Sequence, residues 1–423
     1  MGLPSKLDRV AAEPFRLFFP LGIIASAIGV LLWPAYFGGW ITAYPLEAHA
    51  RWMIIGFAGC FITGFIATAG PRLLGSDPWC RFEIIFHTFT ALAVFIFLAL
   101  NKIATADLFT GFWLLGVLKS MLFRVFVGRQ DVPPPGLPLV FLGITGAMLA
   151  GFALSMESFL TYTIPVRTFW RLLYFQGFLW LPILGVAPYL LPRFFGRKST
   201  HSFPDSTTIP PGWMRLLIES LIVGLLLIAS FALEAWRPGP SGMLLRCIVV
   251  VIHLSRSVPG LVAWTKVNGL GLALRWILPC AAAGWLLAVA FPPLRIGMLH
   301  LMFISSAGLL MLVVATRVIL GHNDRHDRLS SPMKWFHWLW GAVLFTAATR
   351  LTSDFIFKVR ITHFVYAAIL WVIILAVWSW KLRRELNQPV FEDGIIKTNC
   401  PRRKRAAAAL RSLRASPPDA NQS

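Results

Sequence analysis

Residues 297–320 read GMLHLMFISSAGLLMLVVATRVIL. This run is almost entirely apolar, with His300 near its start, Arg317 near its end and no acidic residue between them. A helix needs roughly 20 consecutive apolar residues to cross the hydrocarbon core of a bilayer. Backbone polar groups in hydrocarbon must be hydrogen-bonded within the segment, so a run of this length predicts a membrane-spanning α-helix.

The same pattern recurs along most of the chain. The predicted spans, numbered 1 to 12, are 18–37, 52–69, 82–100, 108–127, 137–154, 169–191, 213–233, 243–264, 272–291, 297–320, 335–348 and 361–380. Hydrophobic residues make up 57% of the 423 residues and charged residues only 13%. A soluble domain carries about twice that charge density. We therefore predict an all-α polytopic integral membrane protein with about 12 transmembrane helices.

The basic residues predict the orientation of these helices. With the N-terminus in the cytoplasm, cytoplasmic segments hold about 27 of the 39 Lys and Arg residues and outer loops about 10. An even number of spans then places the C-terminus inside as well. We predict one membrane domain over 1–382, followed by a basic, disordered cytoplasmic tail over 383–423 that contacts anionic lipid.

The net charge is +21, and the basic residues responsible for it lie in the loops and the tail. This distribution indicates a lipid bilayer as the partner and not nucleic acid. The predicted location is the bacterial inner membrane, as a multi-pass protein. The sequence contains no GxxxxGK[ST], CxxCH or HExxH motif, and its five cysteines form no CxxC pair. Nucleotide hydrolysis, covalently attached haem and zinc proteolysis therefore have no support.

The predicted topology sorts eight of the nine histidines into two layers. The outer layer is His49, His253, His300 and His363, and the inner layer is His87, His322, His326 and His337. Ionisable residues in membranes are usually functional, and imidazole is a common ligand of metals and of haem iron. Two layers would suit two haems, or one haem and one copper. The alternative is that each histidine forms an interhelical hydrogen bond.

Other residues near these histidines are candidate partners of a metal or a haem. Met53 lies four residues after His49, hence on the same helix face, and a thioether with an imidazole would suit Cu(I). The alternative for Met53 is ordinary apolar packing. Arg256 lies three residues after His253 and is a candidate for binding a haem propionate or for pairing with an acidic residue.

Two stretches resemble conserved blocks of the NnrS family of multi-spanning bacterial membrane proteins. The first runs from His300 to Arg325 and the second from His49 to Pro71. The matching residues are His300, Gly308, Thr316, Arg317, Leu320, Gly321 and His322 in the first, and His49, Ala50, Met53, Gly56, Phe57, Gly64, Phe65 and Pro71 in the second. The opening residues 14–19, PFRLFF, are also similar to the start of the family.

The resemblance implies a membrane protein that contains haem b and copper and is linked to nitric oxide, denitrification or nitrosative stress. Its metal ligands would be sought among His49, His300, His322, His253 and His87, with Arg317 and Arg51 as candidate partners of propionates or other anions. Arg51 and Trp52 stand where the family has a histidine and a glutamate. The chain is therefore expected to be a divergent member in which one metal site is lost or rebuilt.

Three functions remain open at this point. The first is a protein of the nitric oxide response that binds haem, with or without copper, and works with nitric oxide or with electron donors of the respiratory chain. The second is a secondary transporter or permease, and the third is an assembly factor for a respiratory complex without its own metal. No nucleophile or paired carboxylate indicates a catalytic reaction, so whether the protein is an enzyme stays open.

Overall fold

A computed structural model describes residues 6–203, 206–263, 267, 269–387, 391–392 and 395–396. In this part of the chain, ten helices are long and apolar enough to cross a bilayer. With the numbers of the predicted spans, they are Phe15–Phe37 (span 1), Leu46–Leu73 (span 2), Arg81–Ala99 (span 3), Ile103–Gly128 (span 4), Leu137–Ser155 (span 5), Ile164–Phe195 (span 6), Trp213–Trp236 (span 7), Gly269–Ala290 (span 9), Pro292–His322 (span 10) and Phe357–Asn387 (span 12). The prediction of an all-α polytopic membrane protein is confirmed.

The other two predicted spans are also helices, although they fall outside this set. Span 8 is Ser241–Ser257, with 17 residues, and span 11 is Lys334–Phe355, with 22 residues and a more polar composition. By length and composition, ten of the twelve predicted spans are therefore confirmed as candidates for crossing the membrane.

Short elements connect the spans. They are the α-helices Lys6–Ala12 and His326–Ser330, the 3₁₀ turns Met156–Ser158 and Pro259–Leu261, and a two-residue antiparallel pairing of Phe391–Glu392 with Ile395–Ile396. The helix of span 12 continues past 382 to Asn387. The basic tail predicted over 383–423 lies mostly outside the described residues, so its disorder stays a prediction.

Spans 2, 6 and 10 form the centre of the bundle. In the most apolar window of each, 78%, 72% and 72% of the residues are buried, against 28–50% in the other seven candidate spans. Outer helices need a face for lipid, whereas a helix surrounded by protein is buried on all sides. The chain thus returns to the centre at every fourth span.

Each of these three central helices contains a π-helical segment. The segments are Trp52–Ala58 in span 2, Leu173–Gly177 in span 6 and Leu301–Gly308 in span 10, each flanked by α-helix. A π-helical turn inserts an extra residue and changes the direction of the side chains around it, and such turns are frequent at functional sites. A functional site is therefore expected in the central helices.

Span 12 packs against span 1 as well as against span 11, so the two ends of the membrane domain are neighbours in the bundle. Glycines allow close approach where the helices touch. A Cβ atom on Gly136, at the start of span 5, would lie 2.1 Å from the carbonyl oxygen of Gly185 in span 6. Only glycine fits at these two positions without moving the helices apart.

Spans 2 and 10 run parallel through the bundle. His49 faces His300 near their first residues, and Arg72 contacts His322 near their last residues. The 22 residues from His300 to His322 correspond to about 33 Å of helix, the thickness of a hydrocarbon core. We call the end with His49 and His300 the outer end and the end with Arg72 and His322 the inner end, following the predicted orientation.

Candidate functional site

His49 lies in the first turn of span 2, just before the π-helical segment Trp52–Ala58. Its Nδ1 atom is 2.9 Å from the carbonyl oxygen of Gly29 in span 1. A carbonyl oxygen can only accept, so Nδ1–H is the donor and Nε2 keeps its lone pair. The indole of Trp33 packs against the ring, with 5.8 Å between ring centroids. Span 1 therefore fixes both the tautomer and the orientation of His49.

His300 occupies the matching place in span 10, directly before the π-helical segment Leu301–Gly308. Its Nδ1 atom is 2.7 Å from the carbonyl oxygen of Ile296, one turn earlier in the same helix. Nδ1–H is again the donor, which leaves the lone pair on Nε2. Histidines that bind metals generally donate their other N–H to a carbonyl or carboxylate in this way.

The two imidazoles lie opposite each other between spans 2 and 10. Their centroids are 6.3 Å apart and their planes differ by 18°. Bonds from a metal to an imidazole nitrogen are about 2.0–2.1 Å long, so two rings on opposite sides of one metal atom have centres roughly 6 Å apart. Both rings are only half-buried and keep accessible surface. The separation of the centroids and the tautomers thus fit two imidazoles that would hold one metal atom.

Two imidazoles suit haem iron better than a bare ion. Within the described residues, no group of three or more His, Cys, Asp and Glu side chains could hold a metal ion. A haem needs only axial ligands from the protein, because the porphyrin supplies the other four nitrogens. The hydroxyl of Ser26 lies 3.7 Å from the sulfur of Met53, the predicted soft ligand, whose role in binding a metal stays a prediction.

Arg350 of span 11 is the basic residue of this site, and it was absent from the predicted candidates. Its guanidinium is close enough to act electrostatically on both His49 and His300. It donates to Asp354, one turn later, at 3.0 Å, and it lies 4.1 Å from the centroid of the Phe364 ring. The sequence offered only an arginine two residues beyond the predicted end of span 11, so this signal was missed.

His322 differs from the outer pair because both of its ring nitrogens are engaged. Nδ1–H donates to Glu13 at 2.9 Å, and Nε2 accepts from Arg72 at 2.7 Å. Burial raises the pKa of Glu13, but its hydrogen bonds to His322 and Arg16 and the charge of Arg16 outweigh burial and lower it. Glu13 is therefore ionised at neutral pH, and His322 joins the inner ends of spans 1, 2 and 10.

Arg51, the residue in place of the family's second histidine, lies in a buried ionic network. Its Nε and Nη2 atoms each donate to Asp107 of span 4 at 2.7 Å, and its Nη1 donates to Glu47 at 2.7 Å. The hydroxyl of Tyr174, in the π-helical segment of span 6, also donates to Asp107, at 2.8 Å. Arg51 thus links spans 2, 4 and 6, and its donors are directed at carboxylates.

His253 lies nearer the inner end than predicted. Its helix ends at Ser257, seven residues before the predicted end of span 8, and its ring is close enough to influence His201 in the loop after span 6. Its Nε2–H donates to the carbonyl of Leu184 at 3.1 Å. Pro188 has no N–H to donate to that carbonyl four residues earlier, so His253 replaces the missing helical hydrogen bond.

Replacing His253 with phenylalanine is expected to destabilise the protein by about 1–3 kcal/mol, because the freed carbonyl of Leu184 then lacks a donor. His253→Gln keeps an N–H donor and is the matched control. Unfolding in detergent, followed by circular dichroism, measures both variants. Equal stability of the two variants would contradict this role for His253.

The remaining predicted candidates are separated from one another. His87 is buried between spans 3 and 4, where its Nε2 lies 3.4 Å from the hydroxyl of Ser120 and its ring packs on Trp79. Arg256 is exposed at the end of span 8, and Arg317 lies at the inner end with its guanidinium over Phe194. Of the five candidate histidines, the structure brings only His49 and His300 face to face within the part it describes.

A comparison with family models agrees with the blocks quoted from the sequence. The model described as NnrS protein matches residues 9–389, almost the whole chain. No curated protein matches the chain.

Proposed function

We propose that this chain, which belongs to the NnrS family, holds one haem b between His49 and His300. Family membership makes it a membrane protein associated with the nitric oxide response. The haem would lie near the outer end of the bundle, between spans 2 and 10. The protein would be located in the bacterial inner membrane, with electron donors of the respiratory chain as partners.

One observation carries the proposal. Two imidazoles stand 6.3 Å apart, centre to centre, and each donates Nδ1–H to a backbone carbonyl. An interhelical hydrogen bond explains a single membrane histidine, but it does not explain two that lie 6.3 Å apart and have no hydrogen-bond partner for Nε2 among the described residues. A site in which His49 and His300 would hold one metal atom accounts for both features.

The residues around the pair have separate roles in this proposal. His49 and His300 would hold the iron from opposite sides, and Arg350 would bind a propionate, in preference to Arg51, Arg256 or Arg317. Haem iron with two histidine ligands supplies one-electron oxidation and reduction. Trp33 and the carbonyls of Gly29 and Ile296 would keep the imidazoles in position.

The visible spectrum of the protein, purified in mild detergent, tests the proposal. A Soret band with sharp α and β bands after reduction by dithionite is expected, together with about one haem b per chain by the pyridine haemochrome assay. Because His49 and His300 would both hold the iron, carbon monoxide is expected to leave the reduced spectrum unchanged. A preparation that stays colourless after expression with added haem precursor would overturn the proposal and favour a transporter or an assembly factor.

Gly29→Ala is expected to reduce the haem content about tenfold, although it removes no ligand. A Cβ atom at this position would lie 2.7 Å from Cβ of Trp52 and 3.2 Å from the sulfur of Met53. Spans 1 and 2 would have to separate, which breaks the hydrogen bond from His49 to the Gly29 carbonyl. Gly341→Ala is the matched control, because a Cβ there meets no atom within 4 Å. Equal haem content in both variants would contradict this positioning role.

A further inference from the structure

A cavity lies at the inner end, about one membrane thickness from His300. It has a volume of about 370 Å³ and is lined where the three central helices end, by Arg72 of span 2, Arg193 of span 6 and Arg317 of span 10. Sites for small molecules occupy roughly 300–1,000 Å³. The cavity is therefore large enough for a small organic ligand.

The guanidinium groups of Arg193 and Arg317 lack carboxylate partners among the described residues. No salt bridge within 4.0 Å involves either residue in the part of the chain that the structure describes. Each lies on an aromatic ring instead, Arg193 at 4.4 Å from the centroid of Tyr189 and Arg317 at 4.6 Å from that of Phe194. The two guanidinium groups are also close enough to repel each other.

The other charged groups of the cavity leave this repulsion uncompensated. Arg72 interacts with Glu13 at 3.8 Å, and Asp131 supplies the acidic side chain of the lining. Burial, together with the charge of nearby His253, lowers the pKa of His201 to about 4, so this histidine of the lining is neutral at pH 7. Among the described residues that line the cavity, Asp131 stands against Arg72, Arg193 and Arg317, which leaves an excess of two positive charges.

An apolar cavity of about 90 Å³ adjoins the first one. Phe65, Leu190 and Val314 line both cavities, and Phe61, Ile183 and Met311 line only the apolar one. It extends between spans 2, 6 and 10 toward the middle of the bundle. A ligand with its charged end at the arginines would therefore meet apolar side chains at its other end.

We propose that the inner-end cavity binds an amphipathic oxyanion, with a carboxylate or phosphate between Arg317 and Arg193 and a short apolar chain in the adjoining cavity. Guanidinium groups bind such oxyanions through paired N–H donors. Either a soluble short-chain acid or an anionic lipid has this chemistry. The site is independent of the proposed haem, which lies at the outer end.

Calorimetric titration of the delipidated, detergent-purified protein with acetate, butyrate and hexanoate tests the proposal, at constant ionic strength set with chloride. Saturable binding is expected, with affinity rising about fourfold per added methylene group until the apolar cavity is filled. Arg317→Gln is expected to weaken hexanoate binding at least tenfold. Arg215→Gln, at an exposed arginine paired with Glu219 on span 7, is expected to bind as the wild type does.

A second variant separates loss of binding from loss of folding. Val314→Phe is expected to fill the junction of the two cavities, so that it binds acetate normally but shows no gain with chain length. If hexanoate releases an anionic lipid from the wild-type protein, the natural ligand is a lipid. If it releases none, the natural ligand is a soluble acid. Hexanoate binding that is equal in Arg317→Gln and wild type, or a response that is equal for acetate, hexanoate and chloride, would overturn the proposal.

Discussion

His300→Ala is expected to abolish the haem spectrum of the purified protein. Loss of a residue that merely orients a metal-bound histidine typically lowers metal affinity about 10–100-fold, and loss of the ligand itself costs at least as much. We therefore expect the Soret absorbance per chain to fall by about tenfold or more, with the same result for His49→Ala. Imidazole added to His300→Ala is expected to restore part of the absorbance, because it fits the space left by the side chain.

His363→Ala is the matched control for this experiment. His363 belongs to span 12 near the outer end, and its Nδ1 forms a 2.8 Å hydrogen bond with the hydroxyl of Thr352. It takes no part in the facing pair, so its replacement is expected to leave the haem content unchanged. An intact Soret band in His300→Ala, or equal losses in the two variants, would contradict axial ligation by His300.

Most of the helical architecture could be predicted from the sequence, because bilayer thickness sets a minimum length for every apolar run. The predicted ends of the spans were less accurate where a residue other than the apolar ones determines where the helix stops. Span 8 ends at Ser257 and not at 264, since Pro259 cannot continue a helix although apolar residues follow it. Span 11 runs on to Phe355 past the predicted 348, because Arg350 and Asp354 pair one turn apart and neutralise each other.

The candidate site was predicted only as far as residue type and depth allow. His49 and His300 were among the outer histidines, but their facing arrangement depends on spans 2 and 10 being neighbours in the centre of the bundle. Contacts between residues 251 positions apart leave no periodic signal in a single sequence. The same limit applies to Arg350, whose proximity to the pair comes from the packing of span 11 on span 10.

The role of Arg51 shows what a departure from a family motif can mean. Its position in the motif indicated a lost or rebuilt metal site, and the structure places it in an ionic network instead. Its main partner, Asp107, is 56 residues away and belongs to another span. Buried acidic residues in membranes are usually paired. The sequence around a single aspartate near the start of span 4 does not, however, show which residue is its partner.

The Arg51–Asp107 pair leads to the second prediction with a large effect. Asp107 is 1% exposed and accepts two hydrogen bonds from the Arg51 guanidinium. Removing one partner of a buried ion pair leaves an uncompensated charge and typically costs about 3–5 kcal/mol. Asp107→Asn is therefore expected to destabilise the protein by about 3 kcal/mol, the lower end of that range, because Glu47 still accepts from Arg51.

The matched comparison for Asp107→Asn is Glu219→Ala, which breaks the exposed pair with Arg215. The side chains of that pair are 78% and 44% exposed, and an exposed pair contributes about 0–1 kcal/mol. Unfolding by increasing mole fractions of sodium dodecyl sulfate in mixed micelles, followed by tryptophan fluorescence, measures both variants on the same scale. Similar losses in the two would mean that water reaches Asp107.

The double variant Arg51→Met/Asp107→Asn distinguishes an unpaired charge from a damaged helix contact. It removes both charges, keeps an oxygen for the hydroxyl of Tyr174, and leaves Glu47 paired with Arg171 at 2.8 Å. Replacing both partners of a buried pair with neutral side chains of similar volume is often neutral or stabilising. The double variant is therefore expected to recover most of the stability lost in Asp107→Asn.

A double variant no more stable than Asp107→Asn alone would contradict this. It would show that Arg51 contributes through packing and not through its charge. The rings of Tyr174 and Phe175 lie 5.9 Å and 5.7 Å from its guanidinium carbon and would supply that packing.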